Sequence, residues 1–161
     1  MRIGKVLSLV TGGLALVAAA PPGGERLIGA WQLVRFENFD SAGKVERPYG
    51  LHPHGLFVYD ASGRLSVQIA RDPLSPPFAK GDDAPNAAEA AAALTGYVAY
   101  FGTWRINAAK HAVVHVVEAS LLPSYSGTDQ TRPYTLDGDV LTINVPEDNG
   151  GHGIRELHRV R

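Results

Sequence analysis

Leu27-Ile28-Gly29-Ala30-Trp31-Gln32-Leu33-Val34 sets a glycine, one spacer residue and a tryptophan at the head of an apolar, strand-like run. That pattern reads as the opening strand of a small β-barrel, with Trp31 packed across the barrel base rather than against a ligand. It predicts an architecture and not a reaction.

What precedes this run reads as a leader. Arg2 and Lys5 form a positive head, residues 6–17 an apolar stretch, and Ala18-Ala19-Ala20 a small-residue site before Pro21-Pro22-Gly23-Gly24. The expectation is a secretory signal over residues 1–19, cleaved after Ala19, with one domain over residues 20–161. An apolar run this short, flanked by Pro-Pro and Gly-Gly, does not span a bilayer as a stable helix. The destination implied is a bacterial periplasm or beyond. Without cysteine there is neither lipid attachment at a lipobox nor a disulfide, and the core must suffice alone. Fifteen Lys+Arg stand against 16 Asp+Glu, which leaves no electrostatic footprint for nucleic acid or an anionic membrane.

Downstream, strand signals are short and frequent. Trp31–Phe39 ends at Asp40-Ser41-Ala42-Gly43, and Leu56–Tyr59 and Leu65–Ile69 flank a loop, Asp60-Ala61-Ser62-Gly63-Arg64. A Pro-rich loop over Pro73–Pro85 precedes the single helix, in which Asn86 caps and Glu89 reaches back over Ala87–Leu94. Strands resume at Phe101–Ile106, Ala112–Ser120, Gln130–Leu136, Val140–Val145 and Ile154–Val160. The fold class is therefore all-β, an up-and-down antiparallel barrel with one inserted short helix.

Alternation then assigns faces. A two-residue turn at Asp137-Gly138 sets Leu136 against Asp139, Tyr134 against Leu141 and Arg132 against Ile143. Gln130, Arg132, Tyr134, Leu141, Ile143 and Val145 then share the inner face. Pairing Ser120 with Asp129 brings Val117 to Arg132 and His115 to Tyr134, with His115 inside and Glu118 outside; a one-residue slip would exchange the two. Pairing Tyr59 with Leu65 puts Phe57, Tyr59, Leu65, Val67 and Ile69 on one inner face. The lumen is thus apolar with five polar groups: Tyr59, His115, Gln130, Arg132 and Tyr134. These are the candidate ligand-binding residues. Each also has a structural reading. The tyrosines can be core aromatics with hydroxyls at the rim, and His115 a satisfied core histidine. Arg132 requires a partner, either a carboxylate such as Glu118 or Glu37 or an anionic group on a ligand.

Further segments extend the pattern: Pro48-Tyr49-Gly50, the run Gly55–Gln68, Tyr97–Trp104, Val113–Ser120, Gly127–Arg132 and Leu136–Leu141. In this order, and over nearly the whole chain after the leader, they resemble the lipocalin-like domain family of bacterial and fungal proteins. The resemblance implies a lipocalin-like barrel with a central cavity and transfers no catalytic set. Two departures stand out: Val116 occupies a position where the family often has a second histidine, and the turn Asn107–His111 is longer. The first weakens any metal or paired-histidine chemistry there.

Other constellations carry less. His52 and His54 are separated by Pro53 and followed by Gly55, which makes a loop, and no third ligand has metal spacing. His111 and His115 lie in a valine-rich strand. Asp82-Asp83 and Glu147-Asp148 read as solvated charges or weak calcium ligands. Ser66 and Ser120 lack a strand-to-helix elbow, and Asn149–Gly153 reads as a hairpin loop, not a phosphate cradle. No metal or cofactor is expected. Two functions follow: an exported carrier of a small, mainly hydrophobic molecule, or a cofactor-independent isomerase, cyclase or hydratase in which His115 or Tyr134 exchanges a proton.

Overall fold

In the computed structural model, residues 22–161 are described; the leader expected over 1–19 lies outside them. The order is β1 (Gly29–Phe39), β2 (Val45–Glu46), β3 (His54–Tyr59), β4 (Arg64–Ala70), α1 (Ala87–Thr95), β5 (Tyr97–Asn107), β6 (Ala112–Ser120), β7 (Asp129–Asp137), β8 (Val140–Pro146) and β9 (His152–Arg159). Each long strand pairs antiparallel with its neighbour, and β9 returns to β1, closing an eight-stranded barrel. The two-residue β2 folds back onto the end of β1 outside that ring. No helix among the described residues is long and apolar enough to cross a membrane.

The core follows from alternation and from two breaks in it. On β1, Trp31 and Leu33 are buried, the ladder slips between Leu33 and Arg35, and Phe36 is buried next. The extra residue is a β-bulge, which moves the inward phase from odd to even positions. A second irregularity lies between Phe101 and Gly102, where Ala119 and Val117 are the partners and Glu118 is left over. Gly102 makes this bulge possible: a Cβ there would sit 2.0 Å from the Val116 carbonyl oxygen. Backbone cannot yield as a side-chain tip does. Gly102→Ala is therefore expected to lower stability by about 1–3 kcal/mol, read as a lower urea midpoint with unchanged slope; an unchanged midpoint would show that the strands separate freely at this point.

One end of the barrel is sealed. The 3-10 turn Glu25–Leu27 buries Leu27 under the base, and the Trp31 indole N–H donates to the Leu27 carbonyl at 2.8 Å. Arg159 lies over the Trp31 ring at 4.1 Å and donates to the Ile28 and Arg26 carbonyls. Gly24 presses against the Trp104 ring, where a Cβ would come within 2.4 Å. Trp31 thus closes the base, as its place in the opening motif suggested.

Two expected registers are corrected. The hairpin after β7 is centred on Gly138-Asp139, with Asp137 against Val140 and Tyr134 against Ile143. Gly138 takes positive φ as the first central residue, the pattern of a II′ turn, in place of the Asp-Gly pair expected. Between β6 and β7, Val116 and not Ser120 opposes Asp129, so His115 faces Gln130 and Arg132 faces Val113. The chain leaves this ladder at Val117, whose N–H and C=O bond to Thr128 and Gly127. Both slips change the partner by an even number of residues, so the faces survive: His115 is buried and Glu118 exposed. The β3–β4 register, Tyr59 against Leu65, is as expected.

The helix forms where the capping box predicts it, with Asn86 accepting from the N–H groups of Ala88 and Glu89 while Glu89 accepts from Asn86 N–H. It contributes no fully buried residue and lines no part of the lumen. It neither plugs nor lids the barrel. Arg71, at the end of β4, donates to the Ala92 carbonyl and the Thr95 hydroxyl near the helix C-terminus.

Candidate ligand cavity

Below mid-height the lumen is filled by Trp31, Tyr59, Leu65, Trp104, Leu141 and Leu157, all nearly solvent-free. Above them, toward the other end, the wall encloses a cavity of about 300 Å³. Its sides are Phe36, Phe57, Ile69, Tyr100, Ile143 and Val145, its rim Pro48, Tyr49, Leu122 and Tyr125, and its polar groups Asn38, His115, Arg132 and Arg155. That size is at the lower end of small-molecule pockets, about 300–1,000 Å³. Among the described residues no carboxylate lines it.

His115 is the centre of the polar wall. Its Nε2 is 2.9 Å from the Tyr59 hydroxyl and its Nδ1 is 2.9 Å from the Tyr100 hydroxyl, and none of its surface is exposed. Burial, and then the positive charge of Arg132, lower its pKa to about 3; burial likewise raises both phenols, so imidazole and hydroxyls are neutral at neutral pH. One ring nitrogen donates and the other accepts. Tyr59 is fully buried and its hydroxyl has no other partner among the described residues. If Nε2–H donated to it, the Tyr59 proton would be orphaned, at a cost of about 1–3 kcal/mol. The hydrogen-bond balance therefore assigns Tyr59 O–H as donor to Nε2 and Nδ1–H as donor to Tyr100. The Tyr100 proton is left free toward the cavity.

Arg132 is 8% exposed and Arg155 9%. Neither carboxylate expected for Arg132 reaches it. Glu118 is held outside the barrel by Arg64, with contacts of 2.5 and 2.9 Å, and Glu37 faces outward to Arg47 and Arg35. Among the described residues Arg132 donates only to the Gln130 side chain at 2.9 Å and the Thr131 carbonyl at 3.3 Å. Arg155 donates to the carbonyls of Glu37 and Ile154 and to Asn38 Oδ1, with its guanidinium carbon 3.3 Å from the centre of the Phe36 ring. Burial and the neighbouring charge of Arg132 lower the Arg155 pKa to about 10, which leaves it charged at neutral pH.

The five candidate residues separate accordingly. His115 and Arg132 line the cavity; Tyr59 and Gln130 stand behind it, one bonded to His115 and the other to Arg132. Tyr134 lies outside it and stacks on His111, with ring centres 5.2 Å apart. Tyr100, Asn38 and Arg155 were missed. For Arg155 a signal existed: Leu157 belongs to the core, and two residues back on a strand is the same face. Of the loop expected over Asn149–Gly153, Asn149–Gly151 lies between β8 and β9, whereas His152 and Gly153 open β9 and pair with Pro146 and Val145; no three His, Asp or Glu among the described residues could hold a metal ion.

The sequence profile of the lipocalin-like domain matches residues 28–155, from the strand carrying Trp31 to the cavity arginine of β9. The chain belongs to the lipocalin-like domain family. A ligand-binding role in general goes with that lipocalin-like barrel. Among solved structures, this lipocalin-like domain is similar to the lipoprotein YedD from Klebsiella pneumoniae, with 14% identity, a TM-score of 0.42, and coverage of 91% of this chain and 80% of that one. No curated protein matches the sequence significantly.

Proposed function

We propose that this protein is an exported carrier that holds one small, mainly hydrophobic molecule in the upper half of its barrel. The observation that carries the reading is the half-filled lumen: a packed base beneath a cavity walled by aromatic and aliphatic side chains. A barrel serving only as a packed core would fill that space, since voids forfeit dispersion contacts. Export rests on the leader pattern of residues 1–19. The enzymatic alternative finds less support. His115 has both nitrogens engaged and a pKa near 3, far from the operating range of a general base, and Tyr134 stands away from the cavity.

Native mass spectrometry of protein recovered from its own host, with a parallel titration by the neutral fluorophore N-phenyl-1-naphthylamine, tests both parts. The expected result is a chain beginning at Ala20 in the extracytoplasmic fraction and saturable probe binding, reduced at least tenfold by Val145→Trp, which fills the cavity. An uncleaved cytoplasmic chain would sink the export reading. Probe binding that is absent, or indifferent to Val145→Trp, would sink the cavity reading.

A further inference from the structure

Two guanidiniums on the wall of one small cavity, each more than nine-tenths buried and neither in an ion pair with a carboxylate among the described residues, are an under-compensated electrostatic arrangement, in which Glu147 acts on Arg155 only from beyond ion-pair reach. Buried charges are ordinarily paired, because an unpaired one forfeits hydration without return. Arg132 and Arg155 stand on β7 and β9, separated only by β8, and repel each other across it. Of five N–H groups on each side chain, Arg132 uses two, leaving three, and Arg155 uses three, leaving two. Tyr100 adds the free hydroxyl proton derived above, and Asn38, whose Oδ1 is taken by Arg155, has only its amide N–H groups left to offer. Donors therefore dominate the inner polar wall, facing apolar sides.

We infer that the cavity takes an organic anion: a carboxylate whose oxygens accept from Arg132, Arg155 and Tyr100, joined to an apolar body packed among Phe57, Ile69, Val98 and Val145. The inference rests on the carrier reading and narrows its ligand class. A neutral hydrophobe of the same size would leave both charges buried without an ion pair. A carboxylate neutralises one full charge and supplies acceptor sites without adding a donor. The cavity volume, about 300 Å³, fits a short or medium chain or a single ring system better than a long-chain lipid.

The test compares octanoate with octan-1-ol, which share a chain length and differ in the head group, by titrating isotope-labelled protein at pH 7.5 and following amide shifts. Octanoate is expected to bind at least about tenfold more tightly, the factor that one added charge-assisted hydrogen bond supplies. Arg132→Gln and Arg155→Gln should each erase most of that preference, bringing octanoate affinity down toward that of octan-1-ol for the same variant. Their melting temperatures should be equal to or above the parent's, because each removes one of two repelling buried charges. Equal affinity for acid and alcohol overturns the anion assignment and leaves the carrier reading intact. Absence of octanoate binding also overturns it, and the neutral fluorophore then decides whether the carrier reading falls with it. The comparison in the unsubstituted protein stands alone should a variant not fold.

Discussion

Trp31→Ala is expected to cost about 3–5 kcal/mol, the range for emptying a large aromatic from a packed core. The indole is fully buried, its N–H donates to the Leu27 carbonyl, and Arg159 covers its face. Truncation therefore opens a void, strands a carbonyl under the base and leaves the Arg159 guanidinium with no ring beneath it. Against a domain stability of about 5–15 kcal/mol, this is a large fraction, and the melting temperature should fall by roughly 10 °C or more. Because Trp31 contributes nothing to the cavity wall, the variant, held well below its melting point, should still bind N-phenyl-1-naphthylamine. A melt within about 2 °C of the parent would show that the base is held by the rest of the layer instead.

The second large effect is a loss of stability in mild acid traced to one residue. In the unfolded chain a histidine titrates near 6.5; in the fold His115 titrates near 3. Between those values the unfolded state binds a proton that the folded state refuses, so the unfolded form is favoured progressively as pH falls from about 6.5 toward 3. The stability from this group is fully present above 6.5 and lost progressively below it, on the order of 5 kcal/mol across the window. Asp60, Glu89, Glu118 and Asp139, whose pKa values are lowered by hydrogen bonds, also withdraw stability as pH falls, but they are surface carboxylates and act at lower pH. Urea unfolding of the parent and His115→Phe between pH 7.5 and 4.5 separates them. The gap between the two proteins should narrow with acidity, and the His115 ring resonances should stay those of neutral imidazole throughout. Ring protonation near pH 6.5 would refute the prediction.

The barrel was legible because a strand side chain has only two directions. Parity along β7 and β8 placed Arg132 and Ile143 inside even though the turn was assigned one residue early, and His115 stayed inside through a four-residue error in its partner. What parity could not show was the bulge at Val34, which reverses phase within β1 and turns Phe36 and Asn38 inward. Nor could it show the company kept by each charge. Glu37 and Glu118 were equally plausible partners for Arg132 in sequence; only the closed barrel reveals that both face out, toward Arg47 and Arg64. Tyr134 failed to join the site for a related reason. It shares the inner face of β7 but lies two residues nearer the sealed end, and height along the axis is invisible to a period of two.

The sealed base has a practical side. Chain entry at Glu25–Leu27 and the final residue, Arg161, which pairs with Asp139 beside the β7–β8 turn, both lie at the end remote from the cavity. A surface linkage or reporter attached through this end leaves the mouth facing free solution, so immobilised material is suited to ligand capture from crude extracts.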